Sequence, residues 1–333
     1  MFGKKEKIKV GVVGVGVLGH HHTRLYKANP DAELVGVYDV SPGAAADIGR
    51  EYGVPAFDTV AALAEKCDAL TVAVPATSHY ETAMPLIEMG KHILMEKPIA
   101  ATVDEARAMV KAAEMRNLVF GVGHVERFNA AMDFLEKNRS NTLFIEAHRL
   151  AKYPPPRPGL HRRGTEVSVV LDLMIHDLDL VLTMVGSDVE RFDAVGMPVL
   201  SKTEDIANVR IKFKNGTVAN VTASRVSTEP MRKFRVFQTD SYISMDYAKS
   251  TGKIIRKSFL GVASKHVNLC EKNALAAEIN DFVQAVKRTK EGPMIVQPRV
   301  TGAQGLRALE LAVAITEEID AYNKKYDLYR FKK

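Results

Sequence analysis

Three glycines near the start of the chain have the spacing that suits contact with a diphosphate. Gly14, Gly16 and Gly19 follow a β-branched run, and a helical pattern begins near Leu18. In such a turn the first glycine permits the tight bend, the second lets the backbone approach the phosphates, and the third lets the helix pack on the strand. The N–H groups at the helix N-terminus then point at the phosphate oxygens. This stretch is predicted to bind a dinucleotide.

A carboxylate stands where it would meet the ribose of that dinucleotide. Asp39 follows a predicted strand over residues 32–38 and lies twenty residues after Gly19. Its carboxylate oxygens would accept hydrogen bonds from free ribose hydroxyls, and its negative charge would repel a 2′-phosphate. No arginine that could bind such a phosphate follows Asp39 before Arg50. The sequence therefore predicts NAD as the cofactor rather than NADP.

Acidic and imidazole side chains interrupt a largely apolar helical pattern over residues 166–186. Asp172 and His176 are four residues apart and share a helix face, which Asp179 continues. Such a stripe costs stability unless it is paired or lines a cavity, so a structural pair and a reactive site are both open here. Consecutive helical residues point about 100° apart, so His20 to His22 cannot converge on one ion and no metal site is predicted.

Two further segments carry cationic side chains that could contact a ligand. Glu96-Lys97-Pro98 follows the strand pattern of residues 91–95, at the carboxyl end where parallel sheets bind ligands. A proline-rich, basic loop, residues 153–164, carries Arg157, Arg162 and Arg163, and Lys152 directly precedes it. These four cations suit an anionic ligand, and a solvated loop is an equal alternative.

Strands and helices alternate in the first part of the chain. The predicted strands are a run beginning at residue 10 and residues 32–38, 54–57, 69–74, 91–95 and 118–125. Helical patterns separate them, and Thr102 with Glu105 forms a capping box before one of these helices. This alternation predicts a doubly wound, parallel Rossmann sheet of the α/β class.

The later part has successive strand patterns with short turns. Strands are predicted at residues 143–150, 207–213, 217–225, 232–239, 241–246 and 252–258, and helices at 127–138, 166–186, 274–289 and 301–324. Asn215-Gly216 is a strong hairpin signal. We therefore predict an α+β domain with a mainly antiparallel, open sheet. Such a sheet often needs a covered face, which favours a homo-oligomer, either a dimer or a tetramer.

Length and composition narrow the class of protein. The 333 residues suffice for two domains, which we place at residues 1–125, binding NAD, and 126–333, binding substrate and mediating oligomerisation. The net charge of +6 is spread along the chain, so no nucleic acid partner is predicted. The sequence has no run of 18 apolar residues, so no transmembrane helix is predicted. Two cysteines provide no disulfide framework, which fits the cytoplasm.

Three motifs together resemble those of the glucose–fructose oxidoreductase, inositol dehydrogenase and MocA family. They are Gly14 to Gly19 with His22, Glu96-Lys97-Pro98, and Asp172 to Asp177, and the resemblance extends over nearly the whole chain. Within the family, residues 122–129 and 169–179 look most like UDP-N-acetylglucosamine 3-dehydrogenases, which usually have proline where this chain has Ala130. The resemblance implies oxidation of a secondary hydroxyl on a nucleotide-linked amino sugar, with NAD as hydride acceptor.

The resemblance also implies individual roles. His176, oriented by Asp172 or another carboxylate, would be the base, and Lys97 would hydrogen-bond the reacting oxygen. The implied cofactor-binding residues are Gly14, Val15, Gly16, Val17, Leu18, Asp39, Val74, Pro75, His79, Glu96 and Lys97. The implied substrate-binding residues are Arg127, Asn129, Arg157, Arg162, Arg163, Asp172 and His176. The three arginines of the loop are expected to bind the diphosphate of a UDP-sugar.

Two alternatives remain at this point. A dehydrogenase of a free sugar or an inositol needs the same cofactor site and the same base. A catalytically silent, NAD-binding regulator needs the fold without the reactive side chains. The presence of both Lys97 and His176 favours an enzyme.

Overall fold

The chain folds into two compact units. The computed structural model describes residues 6–156, 162, 164–259, 261–269 and 273–328. The first unit comprises Met1–Arg127 and Asn273–Leu306, and the second comprises Phe128–Lys272 and Arg307–Lys333. The predicted division between residues 125 and 126 did not anticipate that residues 273–306 return to the first unit.

The first unit is built on a parallel sheet of five strands in the order β2-β1-β3-β4-β5. The strands are β1 (Ile8–Val13), β2 (Ala32–Tyr38), β3 (Ala69–Val72), β4 (His92–Met95) and β5 (Phe120–Val122). The helices up to β5 are α1 (Val17–Ala28), α2 (Pro42–Tyr52), α3 (Val60–Glu65), α4 (His79–Glu88) and α5 (Val103–Met115). The doubly wound, parallel sheet that the sequence predicts is confirmed.

The strand predicted at residues 54–57 is wrong. Only Ala56 pairs, in a single parallel bridge with Val37. Pro55 has no N–H group to donate, so it interrupts any longer ladder at this edge.

Helix α8 (Ala274–Glu291) belongs to the hydrophobic core of this parallel sheet. Its buried Phe282, Val283 and Val286 lie in one cluster with Val10 of β1 and Leu94 of β4. The core of the first unit therefore depends on residues that lie far along the chain.

The second unit contains a sheet of eight strands in the order β13-β12-β11-β10-β6-β9-β8-β7. Its strands are β6 (Thr142–Leu150), β7 (Val189–Met197), β8 (Ile206–Phe213), β9 (Val218–Ser224), β10 (Met231–Gln238), β11 (Ser241–Asp246), β12 (Thr251–Ser258) and β13 (Gly261–Asn268). Only the β6–β9 pair is parallel among the described pairs, so the sheet is mainly antiparallel, as predicted.

Two strands of this sheet, β7 and β13, were not predicted. Both lie at its edges, and β13 is almost entirely exposed. An edge strand does not need alternating apolar residues, which is the signal used for the other strands.

Helices cover one face of this sheet. They are α6 (Ala130–Lys137), α7 (Ile175–Val185) and the part of α9 (Gly302–Lys325) that lies in the second unit. A π-helical turn, Val170–Met174, leads into α7, which ends at Gly186 with a φ of +65°. The helix predicted from residue 166 therefore begins about one turn later. In the part of the chain that the structure describes, no helix combines the length and the apolar character needed to cross a membrane.

Candidate active site

The glycine-rich turn between β1 and α1 is tightly packed on one side and open on the other. A Cβ atom at Gly14, whose φ is +85°, would lie 2.8 Å from the Ala73 carbonyl oxygen, and one at Gly19 would lie 1.7 Å from the Gly14 carbonyl oxygen. At Gly16, no heavy atom lies within 4 Å of the Cβ position, and no described side chain caps α1. The first N–H groups of α1 therefore face a side of the turn that an anion can approach.

The backbone holds Asp39, which directly follows β2. Its Oδ2 accepts a hydrogen bond from Val15 N at 2.8 Å, and its Oδ1 accepts one from Ser41 N at 2.9 Å. Each carboxylate oxygen has a second lone pair that a hydroxyl group can use. Arg50 is paired with Asp47 on the exposed surface of α2. Asp39 thus presents a fixed acceptor beside the glycine turn.

His79 connects the segment after β3 with the segment after β4. Its Nε2 lies 3.0 Å from the Val74 carbonyl oxygen, and its Nδ1 lies 2.9 Å from the Pro98 carbonyl oxygen. The ring is buried, and burial lowers the pKa of its imidazole. Pro75 immediately precedes the short 3-10 turn that leads into α4. His79 therefore lies between the two strand ends that carry Val74 and Lys97, and its neutral ring can donate a hydrogen bond to one of these two carbonyl oxygens.

Glu96 and Lys97, after β4, have different surroundings. Glu96 is buried, its Oε1 lies 2.9 Å from His22 Nε2, and its Oε2 accepts a hydrogen bond from Lys97 N at 3.2 Å. Burial raises the pKa of Glu96, but the His22 hydrogen bond and the charges of His22 and Lys97 together bring it below its usual value. Lys97 is partly buried. A lysine therefore follows a buried, ionised carboxylate at the ligand-binding edge of the sheet.

In the second unit, Asp172 and His176 lie on one continuous helical stretch. Asp172 belongs to the π-helical turn and His176 to the first turn of α7. Because a π-helical turn spans more residues than an α-helical one, residues four apart still leave the helix on similar sides. Asp172 also packs on the backbone, since a Cβ atom at Gly164 would lie 2.2 Å from Asp172 Oδ2. Both side chains are partly buried.

Two acidic residues of α7 are buried. Asp179 is buried, and Asp177 forms an ion pair with Arg149 of β6, with 2.6 Å between Oδ2 and Nε. The Arg149–Asp177 pair was not predicted from the sequence. The available signal was the position of Asp177 within the most apolar part of the helix, because a charge that is buried there needs a partner.

The residues predicted to bind substrate have varied positions. Arg127 is buried in a 3-10 turn at the end of the first unit, and the Oδ1 atom of Asn129 accepts a hydrogen bond from Ala131 N and so caps α6. The Arg162 guanidinium lies over the Tyr153 ring, 5.1 Å from its centroid, and donates to the Pro154 carbonyl oxygen. Arg157 and Arg163 lie outside the described residues.

The described residues contain no group of three or more histidine, cysteine, aspartate or glutamate side chains that could hold a metal ion. Of the consecutive histidines, His22 contacts Glu96, and His20 contacts Glu51 and Tyr52 of α2. These side chains therefore point to different partners.

Comparison with known proteins decides what these features belong to. Residues 8–124 match the model of an oxidoreductase family with an NAD-binding Rossmann fold, and residues 141–244 match the GFO/IDH/MocA C-terminal domain. The chain belongs to the GFO/IDH/MocA family. It is an oxidoreductase whose first unit contains an NAD-binding Rossmann domain, as the three motifs predict.

Several relatives are similar over almost their full length. UDP-N-acetylglucosamine 3-dehydrogenase of Acidithiobacillus ferrooxidans is 34% identical over 95% of this chain and 98% of that enzyme. A solved structure of that enzyme has a TM-score of 0.86 and covers 95% of this chain and 99% of its own. Myo-inositol 2-dehydrogenase of Thermotoga maritima is 23% identical over 94% of this chain and 96% of that enzyme.

A further solved structure is similar in fold. Levoglucosan dehydrogenase, solved with NADH and L-sorbose, is 20% identical, with a TM-score of 0.84 over 95% of this chain and 97% of its own. The predicted fold class, the oxidoreductase activity and the NAD cofactor are thus confirmed for this chain.

Proposed function

We propose that this member of the family oxidises the 3-hydroxyl of UDP-N-acetylglucosamine to a ketone. The observation that carries the proposal is the 34% identity with the Acidithiobacillus enzyme over 95% of this chain. The match spans 98% of that enzyme, so it includes the regions of all three motifs and is not confined to the nucleotide domain.

We infer that the residues of the glycine turn, Gly14 to Leu18, hold the diphosphate of NAD and that Asp39 holds the adenosine ribose. The open side of Gly16 and the uncapped start of α1 support the first assignment. The fixed carboxylate supports the second and disfavours a 2′-phosphate. The further contacts that we assign to NAD are with Val74, Pro75, His79, Glu96 and Lys97. NAD supplies the hydride acceptor for the reaction.

The residues of the chain provide for the proton and for the charge on oxygen. We assign His176 as the base that takes the hydroxyl proton, with Asp172 orienting its ring. We assign Lys97 as the hydrogen-bond donor to the same oxygen, where its positive charge stabilises the developing alkoxide by about 3 kcal/mol. The C3–H bond breaks with its electron pair leaving as hydride, and the C–O bond becomes a carbonyl.

The basic loop is our proposed contact for the rest of the substrate. Arginine forms paired hydrogen bonds with phosphate oxygens, so we assign the diphosphate to Arg157, Arg162 and Arg163. Arg127 and Asn129 complete the proposed substrate-binding set.

A substrate panel tests the function. Reduction of NAD is followed by absorbance with UDP-N-acetylglucosamine, free N-acetylglucosamine, glucose 6-phosphate and myo-inositol. We expect kcat/KM to be at least about 100-fold higher for the UDP-sugar than for the free sugar, because the diphosphate contacts add binding energy. Equal values would remove the role of the arginines, and turnover of inositol alone would favour the activity of the Thermotoga relative. NADH binding without any turnover would indicate a regulator.

We also propose that the protein is a homo-oligomer, a dimer or a tetramer, located in the cytoplasm. Helices cover one face of the eight-stranded sheet, where Ile145, Val236 and Ile243 are buried. On the opposite face, the half-buried Phe237 ring lies 5.5 Å from that of Phe144 and 4.8 Å from that of Tyr242, beside the Arg235–Glu146 ion pair. We propose that a second copy covers this aromatic cluster. Light scattering after gel filtration should give a multiple of 36.7 kDa. The mass of one chain would overturn this proposal.

The buried free thiol of Cys67 suits a reducing compartment.

A further inference from the structure

Arg225, directly after β9, is the largest fully buried side chain that no assigned role explains. Its Nε donates to Asp205 Oδ1 at 2.7 Å, and its Nη2 donates to Thr203 Oγ1 at 2.7 Å. Its Nη1 donates to the carbonyl oxygens of Gly164 and of Val167, the latter at 2.9 Å. The guanidinium thus joins two segments that are far apart in sequence.

Asp205 completes the arrangement on the opposite side of Arg225. Its Oδ2 accepts hydrogen bonds from the backbone N–H groups of Val199, Leu200 and Ser201. Burial raises the pKa of Asp205, but the hydrogen bonds from Ser201, Arg225 and the backbone outweigh it and lower the pKa to about 2. The pair is therefore ionised at neutral pH and satisfied by hydrogen bonds, as a stable buried ion pair requires.

The segment that Arg225 holds leads directly to the basic loop. Thr165 donates to the Arg162 carbonyl oxygen through its backbone N at 3.1 Å and through its Oγ1 at 2.8 Å. The Thr203 hydroxyl lies 2.8 Å from the Val167 carbonyl oxygen. On the other side of the loop, the Tyr153 hydroxyl lies 3.2 Å from Ser201 Oγ. Tyr153 and Arg162, which the structure describes on either side of loop residues 157–161, are thereby connected through hydrogen bonds to the Arg225–Asp205 pair.

The same segment touches the carboxylate that we propose orients His176. Gly164, whose carbonyl oxygen accepts from Arg225, has a φ of +79°, and a Cβ atom there would lie 2.2 Å from Asp172 Oδ2. Asp172 can occupy its position only because residue 164 has no side chain. The backbone that carries Arg162 is therefore also the surface against which Asp172 rests.

We propose that Arg225 and Gly164 are positioning residues that hold Arg162 of the basic loop and the Asp172 carboxylate as one unit. The proposal rests on the proposed function, since it gives the loop the diphosphate and gives Asp172 the orientation of the base. Alignment of the sugar hydroxyl with His176 then depends on the same backbone segment that binds the charged arm of the substrate.

Removal of Arg225 would leave Asp205 as an unpaired buried charge, so Arg225→Ala is expected to unfold and is a poor test. Gly164→Ala is sharper, and Gly216→Ala is its matched control. Gly216 has a φ of +86° in a hairpin turn, and nothing lies within 4 Å of its Cβ position. Both variants carry the same kind of backbone strain, but only the methyl group added at position 164 meets Asp172.

A double-mutant cycle then shows whether the methyl group added at position 164 acts through Asp172. We expect kcat to fall at least tenfold in Gly164→Ala and to stay within twofold of the wild type in Gly216→Ala. In an Asp172→Ala background, Gly164→Ala should have no further effect, because the carboxylate that it displaces is gone. The same loss of kcat in both backgrounds would overturn the proposal.

A binding measurement, which needs no turnover, tests the part of the unit that contains Arg162. Thr203→Val removes the hydroxyl that bonds Arg225 and Val167. We expect it to raise the Kd of UDP, measured by calorimetry, about fivefold and to leave the Kd of NADH unchanged. Thr316→Val is the control, because the Thr316 hydroxyl donates to the Ala312 carbonyl oxygen of its own helix. An unchanged Kd of UDP in Thr203→Val would contradict the role of the unit.

Wild-type controls separate this proposal from the proposed function. If wild-type protein neither binds UDP nor oxidises UDP-N-acetylglucosamine, the proposed substrate is wrong. The kinetic cycle is then run on the best alcohol from the substrate panel, and loss of kcat that depends on Asp172 would still support the positioning role of Gly164.

Discussion

Glu278 of α8 has surroundings that oppose its ordinary ionisation. Its side chain is 2% exposed, and its carboxyl oxygens have no hydrogen-bond partner within the described residues. Burial raises the pKa of Glu278 well above its usual value, and the charges of Glu96 and Asp281 raise it further. The folded protein therefore holds this carboxyl protonated at pH values where the unfolded chain has released the proton.

We predict that the wild type becomes less stable as the pH rises because of Glu278, and that the Glu278→Gln variant does not show this loss. Above the ordinary carboxyl pKa of 4.5, unfolding of the wild type releases this proton, so its free energy of unfolding falls by about 1.4 kcal/mol per pH unit until the raised pKa is reached. Urea unfolding at several pH values should show the advantage of the variant growing over that interval. The exposed Glu114→Gln serves as control. A difference that does not vary with pH would show that Glu278 is ionised in the fold.

The second residue-level prediction concerns Lys97. If its ammonium group stabilises the alkoxide, Lys97→Met should lower kcat by about 10²–10⁴-fold, with NADH binding retained. Lys91→Met is a matched control at the opposite end of β4, where the Lys91 Nζ atom donates to the Cys67 carbonyl oxygen. Steady-state kinetics and NADH fluorescence measure the two effects. Full activity in Lys97→Met would remove its proposed role.

At the scale of elements, the turn between β1 and α1 has one glycine position that faces open space, Gly16, and one that is packed against backbone, Gly19. Gly16→Ala places its methyl group where no atom lies within 4 Å, at a φ of −60°, so stability should stay within about 0.5 kcal/mol of the wild type. The methyl group would keep a diphosphate from the backbone, and we expect the Kd of NADH to rise at least tenfold. Calorimetric binding and thermal unfolding measure both quantities.

Gly19→Ala in the same turn should behave differently. Its Cβ would lie 1.7 Å from the Gly14 carbonyl oxygen, so α1 must move away from β1. We expect a loss of stability of about 2 kcal/mol or more, in addition to weaker NADH binding. If Gly16→Ala proved as destabilising as Gly19→Ala, the open side of the turn would be refuted.

At the scale of the whole molecule, residues 273–306 belong to the first unit, so we predict that this unit cannot fold without them. Residues 1–127 alone would expose the apolar surface that Phe282, Val283 and Val286 of α8 cover. The Lys287–Asp31 ion pair would be lost as well. We expect that fragment to aggregate or to unfold without cooperativity, whereas residues 1–127 fused to 273–306 through a flexible linker should unfold cooperatively and bind NADH. Cooperative unfolding of residues 1–127 alone, measured by circular dichroism, would contradict this.

Features that depend on neighbouring residues were predictable from the sequence. The capping box of Thr102 and Glu105 forms with both of its hydrogen bonds, and the Asn215-Gly216 turn joins β8 to β9 with a φ of +86° at Gly216. The glycine spacing likewise identified the dinucleotide turn. In each case the local backbone conformation and the side-chain chemistry are set within a few residues, so a single sequence contains the information.

Only the tertiary structure decided which distant residues meet. The apolar helical pattern around Asp177 indicates that this charge needs a partner, but many arginines are available, and packing selects Arg149. Nothing in the sequence marks Asp205 as buried, and only the fold pairs it with Arg225. The sequence likewise gives Gly164 no visible importance until Asp172 is found resting against it. The recruitment of α8 to the first unit has the same cause, because an apolar helix face can cover any apolar sheet and only the folded chain specifies which sheet it covers.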